Sequence, residues 1–205
     1  MHNPIQQAIE SRSSTTLFDP NRELPDEIVT SLVEQATRAP SAYNFQNWRF
    51  IAVRSAEAKA RLKNVAYGQQ QVVDAAVTFI ICGTLAAHEQ LAHMLKPVVV
   101  AGIMDEPMAD GWVAQASRAH ADNPQLQRDE AIRSASLAAM TLMLAAKGMG
   151  LATGPMIGFD MERLSQEFAL TDNDIPAIIV TVGYPMADNW PQKPRRPVQE
   201  ILEWV

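Results

Sequence analysis

The chain has 205 residues, 47% of them hydrophobic and 20% charged, which suits one globular domain and excludes disorder or low complexity as overall descriptions. A net charge of -6 excludes a chain-wide basic footprint for nucleic acid and favours solubility. A single cysteine, Cys82, excludes an intramolecular disulfide framework. Met1-His2-Asn3-Pro4 look like a helix start rather than a basic and apolar leader, so the expected location is cytoplasmic. The longest uncharged helical stretch, Ser134 to Ala146, is too short to span a bilayer, and no membrane partner is expected.

In chain order, Asn3 followed by Pro4 predicts an N-cap and a first-turn proline, with Ile5, Ala8 and Ile9 on one helical face. That helix should end near Ser11 to Ser14. A second helix follows Pro25, carrying Ile28, Val29, Leu32, Val33 and Ala36 at helical spacing, and stops before Pro40. Arg49 to Val53 reads as a strand, and Ser55 as the N-cap of a helix through Leu62 and Val65. Ala75 to Cys82 is apolar throughout and predicts a central strand, with Cys82 a small buried hydrophobe.

Residues 85–121 are helical in tendency but interrupted by Pro97, Pro107 and Gly111, and are expected to form a mobile, lid-like excursion. Gln127 to Met149 is the strongest helix, apolar on nearly all sides through Leu137, Met140 and Leu144, and expected in the core or at a subunit interface. Asp160 should cap a helix carrying Leu164 and Phe168, and Ala177 to Gly183 should be a buried strand. Residues 191–205 form a proline-stiffened arm. Helices and strands interleave with no repeat or linker, so the expected class is α+β, with one domain over residues 1–205.

Several chemistries lack their residues. There is no dinucleotide fingerprint, phosphate loop or nucleophile elbow. The histidines His2, His88, His93 and His120 have no metal-ligand spacing and read as surface residues, so no metal site is expected. What remains are two anion-binding candidates far apart in sequence. Arg12-Ser13-Ser14-Thr15-Thr16 places a guanidinium beside hydroxyls, and Lys193-x-Arg195-Arg196 places cations in the arm. Each alone is an ordinary solvated segment; together they would suit a phosphate.

Arg12-Ser13-Ser14 with Phe18-Asp19, then Ala39 to Phe50 (APSAYNFQNWRF), resembles the signature of the nitroreductase family. The resemblance continues through Ala66 to Gln71, the Ser136 to Met140 helix, Gly154 to Asp160 (GPMIGFD) and Lys193-x-Arg195. It implies a nitroreductase-like fold with a mainly antiparallel sheet flanked by helices, in an intertwined homodimer with FMN at the interface. Arg12, Ser14, Lys193 and Arg195 would hold the FMN phosphate, with Ser13 near the ribityl chain and Thr16 near the phosphate or the flavin edge. Pro40, Ser41, Ala42 and Asn44 would come from the partner subunit. Gln69 and Gln71 would face the polar edge of the ring system, and Pro155, Met156, Ile157 and Gly158 would pass along its other side. Read without those companions, Ser41 to Gln46 is a polar loop and Gly154 to Gly158 a simple turn. Trp48 and Phe50 are assigned to core packing.

Three positions depart from the family pattern. Thr16 replaces a lysine or arginine, Gly68 a common asparagine, and Asn47 the usual proline. The resemblance further implies ping-pong transfer of hydride from NADH or NADPH through flavin N5 to a small-molecule acceptor such as a nitroaromatic or quinone. The cofactor carries that chemistry, so no catalytic side chain is named. A different flavin enzyme on the same scaffold, such as a dehydrogenase or reductive dehalogenase, and a non-catalytic flavin-binding protein stay open as alternatives.

Overall fold

The computed structural model describes residues 3–205; Met1 and His2, and what was expected of them, lie outside the described residues. Four strands form one antiparallel sheet in the order β1-β2-β4-β3: β1 (Trp48–Val53), β2 (Val77–Thr84), β3 (Ala152–Met156) and β4 (Asp174–Gly183). The β2 strand is central and buried on both faces, as its unbroken apolar run predicts. It pairs with β1 from Trp48–Gly83 to Val53–Thr78, and with β4 through an irregularity at Ile81/Cys82.

Helices α1 (Pro4–Ser11) and α2 (Asp26–Ala36) precede the sheet. The first is capped by Asn3 Oδ1, which accepts from Ile5 N, and Pro4 follows that cap. Its expected apolar face is real but uncovered within the chain, with Ile5 and Ile9 exposed. The helix α3 (Ala56–Val65) is capped by Ser55, which accepts from Ala58 N. A short turn, α4 (Gln71–Asp74), leads into β2.

The helix α7 (Pro124–Gly148) crosses one face of the sheet and buries Ala131, Ser134, Ala135, Ala138, Ala139, Leu142, Met143 and Ala146. Small residues on this stripe permit an unusually close approach. A Cβ on Gly83 would lie 2.0 Å from the Ala131 carbonyl oxygen, so only glycine fits between β2 and α7. Leu142, Phe79, Val180 and Val182 pack in the resulting core. On the other face, Leu62, Val65, Val72 and Ile80 pack with Leu164 of α8 (Met161–Glu167), whose N-cap is Asp160. The apolar girdle of α7 is not fully enclosed: Leu137 and Met140 stay exposed.

Four expectations need correction. Residues 85–121 are helical as expected, but their breaks fall elsewhere than at the prolines: they form two helices, α5 (Ala87–Val100) and α6 (Glu106–His120), which pack on each other. Pro97 lies inside α5, near its end, where its missing N–H deprives one preceding carbonyl, that of His93, and the helix stops at Val100. Pro107 sits in the first turn of α6, where its missing N–H is not needed. Second, His88 and His120 are buried rather than on the surface, and their rings stack with centroids 6.0 Å apart. His93 is exposed as expected. Third, Gly154-Pro155-Met156 is strand, not turn, because it pairs with β4 from Gly154–Thr181 to Met156–Ile179. Fourth, Phe50 packs against the core, but Trp48 is only half-buried and joins none of the apolar clusters.

Candidate functional site: a cationic corner at the edge strand

The chain after α1 runs extended past the beginning of β3. Ser14 bridges Thr153 in parallel, and Thr15 N donates to the Thr153 carbonyl at 2.9 Å. Gly154 makes this contact possible. A Cβ there would lie 2.3 Å from the Thr15 carbonyl oxygen and 2.6 Å from Thr181 Oγ1. On its other side the segment pairs with the chain leaving β4, through Asp19 N to the Tyr184 carbonyl and Met186 N to the Leu17 carbonyl, both 2.9 Å. Residues 12–19 are therefore fixed between β3 and the approach to the C-terminal arm.

The two anion-binding candidates meet there. Arg12, Ser13, Ser14 and Thr16 line a cavity of about 410 Å³ with Trp190, Pro191, Gln192, Lys193 and Arg195. Among the described residues, three cationic side chains and three hydroxyls line it, and no carboxylate does. Arg12 Nη1 is buried without a hydrogen-bond partner. A buried charged donor left unpaired costs more than an ordinary missing bond, so this atom calls for an anion. The donor set fits the phosphate of a mononucleotide. Trp190 and Gln192, which sequence reasoning missed, complete the wall, and Lys193 Nζ lies 5.3 Å from the Trp190 ring centre. An aromatic residue just ahead of the cationic proline tail was the available signal.

A second group gathers at the far end of β3. Gln69 Nε2 donates to the Gly158 carbonyl at 2.8 Å, and Gln71 Nε2 donates to Gln69 Oε1 and approaches Met156 Sδ, both at 3.3 Å. Met156 is buried, Pro155 and Gly158 are half-buried, and Ile157 is 77% exposed. From Thr153 to Gly158 the edge strand and its extension cover roughly 17 Å at strand rise. Gly68, the departure from asparagine, has φ +76°, a conformation that glycine adopts without strain.

The remaining expected residues lie elsewhere. Pro40, Ser41, Ala42 and Asn44 occupy the loop between α2 and β1, where Ser41 Oγ accepts from Gln46 N at 2.9 Å. Tyr43, Asn44 and Gln46 all have positive φ, so the loop is tightly wound. It packs on α5 and α6: Tyr43 and Phe45 have ring centroids 5.4 Å apart, Tyr43 and Trp112 5.9 Å, and Phe45 and His120 5.3 Å. Asn47, the departure from proline, extends the β1 pairing: its backbone oxygen accepts from Thr84 N at 2.9 Å. Its Nδ2 donates to the Thr84 carbonyl at 3.3 Å.

The register shows how far this loop is from the cationic corner. Gly154 is level with Thr181, Thr78 and Val53, whereas the loop enters at Trp48, level with Gly83 and Ile175. Three strand spacings across and five residues along give a diagonal of roughly 20 Å. Within one chain the two sets sit at opposite corners of the sheet. Among the described residues no group of three or more histidine, cysteine or acidic side chains could hold a metal ion, and no helix is long and apolar enough to cross a membrane.

The sequence and the fold have relatives among known proteins. The chain is 32% identical over 197 residues to a Bacillus subtilis protein assigned as NAD(P)H nitroreductase YodC, covering 96% of each. It is 31% identical over 182 residues to an NADH dehydrogenase of Thermus thermophilus, covering 88% of this chain and 86% of the relative. A nitroreductase from Exiguobacterium sibiricum, solved in complex with FMN, superposes with a TM-score of 0.91 at 26% identity, covering 100% of this chain and 99% of the other. The sequence pattern of the Nitroreductase family matches residues 9–184, from the end of α1 to the strand that leads into the arm. With that match across most of its length, the chain belongs to the nitroreductase family.

Proposed function

We propose that this chain is an FMN-dependent oxidoreductase that takes reducing equivalents from NADH or NADPH and passes them to a small-molecule acceptor, nitroaromatics and quinones being the classes to test first. The observation that carries the reading is the buried, unpartnered Arg12 Nη1 in a cavity with Lys193 and Arg195 and without a carboxylate. Arg12, Ser14, Lys193 and Arg195 hold the phosphate there, with Ser13 and Thr16 at the start of the ribityl chain. Gln69 and Gln71 offer amide donors and acceptors to the ring edge, and Pro155, Met156, Ile157 and Gly158 form its wall. FMN bound in this way supplies the redox chemistry, so the residues around it need only bind, orient and exclude water. One face serving reductant and acceptor in turn makes the kinetics ping-pong.

The active form on this reading is a homodimer. Pro40, Ser41, Ala42 and Asn44 lie too far from their own chain's cationic corner to share a flavin with it, so they serve the flavin of a second copy. The exposed Ile5, Ile9, Leu137 and Met140, with Val198, Ile201, Leu202 and Trp204 of the arm, supply apolar surface for that contact. Residues 1–205 then act as one FMN-binding domain. The α5–α6 pair, which carries the Tyr43 loop, stands beside the partner's flavin and faces the acceptor. Because NAD(P)H is an intracellular reductant, the cytoplasm is the compartment that goes with this activity.

The decisive experiment is anaerobic stopped-flow of the FMN-reconstituted protein mixed with NADH or NADPH. Bleaching of the flavin absorbance, followed by its return on adding a nitroaromatic or quinone, is expected. No bleaching by either nucleotide removes the oxidoreductase reading and leaves a passive flavin binder. A protein that stays colourless after reconstitution removes the flavin itself.

A further inference from the structure

We infer that Asn189 and Gln192 form a latch that positions the cationic arm over the phosphate pocket, so that FMN affinity depends on two residues that need not touch the phosphate. The inference rests on the placement of the FMN phosphate in that pocket.

Lys193 and Arg195 lie on an exposed segment with little to hold it. Among the described residues, every hydrogen bond between residues 189–205 and the rest of the chain comes from Asn189 or Gln192. Asn189 Oδ1 accepts from both Thr16 N and Leu17 N at 3.0 Å, and Asn189 Nδ2 donates to the Leu17 carbonyl at 2.8 Å and the Met186 carbonyl at 3.0 Å. The carboxamide thus uses both acceptor sites and both hydrogens, which no other side chain of its size can do. Three residues later Gln192 Nε2 donates to the Arg12 carbonyl at 3.0 Å. The remaining contacts of the arm are internal: Arg195 Nη1 to the Lys193 carbonyl, and Arg196 to Glu200.

The latch therefore grips the same Arg12–Leu17 segment that supplies the other half of the phosphate pocket. Asp188, just before it, has φ +68°, a turn that aims Asn189 back at the body. Two consequences follow. The cations are preorganised, so a bound phosphate does not have to order the arm. The device also acts on the phosphate end alone, because Gln69, Gln71 and Gly158 at the ring end share no hydrogen bond with it.

Comparing FMN with riboflavin, which lacks the phosphate, tests this on the apoprotein by quenching of flavin fluorescence. For Asn189→Ala, FMN should bind at least tenfold more weakly while riboflavin affinity stays within twofold of the parent. Gln192→Ala, at an exposed position, should give a smaller FMN-selective loss, about threefold. A merely structural role would lower both affinities together; that result, or unchanged FMN affinity, overturns the latch. If Asn189→Ala does not fold, Gln192→Ala decides by the same criteria. The double variant Lys193→Ala/Arg195→Ala separates the two levels of inference. If it too leaves the FMN-to-riboflavin ratio unchanged, the phosphate is not in this pocket and the placement itself fails. If the double variant loses FMN selectively and the latch variants do not, the latch alone is wrong.

Discussion

The two edges of the sheet hold the two groups of candidate site residues in opposite ways. At the β3 edge the cationic corner is built from segments 173 to 180 residues apart, joined by backbone and amide hydrogen bonds. At the β1 edge the loop carrying Ser41 to Asn44 is clamped by aromatic packing on α5 and α6, over the stacked pair His88 and His120. One edge supplies charge and the other supplies shape. The lesson is that residues of one candidate site need not be close within one chain: on the proposed reading these two groups meet only across a pair of copies.

The largest test attacks the β1 edge. Phe45→Ala removes a ring that is 4% exposed and packs on both Tyr43 and His120. A loss of about 3–5 kcal/mol is expected from the size of the change. Calorimetry or denaturant unfolding measures it, and a loss under about 1 kcal/mol would show that the loop is not anchored by this cluster. Gly154→Ala attacks the β3 edge. The added methyl meets the Thr15 carbonyl, so a cost of about 1–3 kcal/mol is expected together with loss of FMN retention. Destabilisation without loss of FMN would separate Gly154 from the phosphate corner.

A smaller effect distinguishes the edges by pH. Burial by itself pushes the Asp174 carboxyl up, but hydrogen bonds from Thr171 N, the Thr171 hydroxyl and Arg49 outweigh it and hold the group below its ordinary value. A depressed carboxylate adds stability above the unfolded-state pKa of about 3.9 and loses it as pH falls through the lower folded value. Asp174→Asn should therefore be less stable than the parent at pH 7, with the gap closing below about pH 4. A gap independent of pH would mean the Arg49 ion pair, at 2.5 Å, contributes nothing through charge. The smallest expected effect is at Cys82. Burial first, with Asp174 adding to it, pushes this thiol up to about 12. Iodoacetamide at pH 8 should leave the folded protein unlabelled and label the unfolded one; rapid native labelling would show that β2 opens.

Local signals carried much of the fold. The caps at Asn3, Ser55 and Asp160, the buried runs of β2 and β4, and the length of α7 follow from side chains that act within a few residues. The site residues could be named because Arg12, Lys193 and Arg195 keep their chemistry wherever the chain puts them. Other features were not legible. The Gly154-Pro155-Met156 segment has the composition of a turn, and pairing with β4 made it a strand. His88 and His120 are polar in isolation and were buried by the aromatic residues around them. The α5–α6 pair looked broken at its prolines because proline position within a helix, not its presence, decides its effect.

By itself the sequence determined which residues are helical or apolar, which carry positive charge, and which family pattern they follow. Tertiary structure alone decided that Arg12 and Lys193 share one cavity, that Asn189 ties the arm to Thr16 and Leu17, and that Ser41 to Asn44 stand at the opposite corner. The physical reason is range. Caps, periodicity and charge are properties of a few neighbouring residues, whereas strand order and register are set by long-range pairing that buries the whole sheet at once.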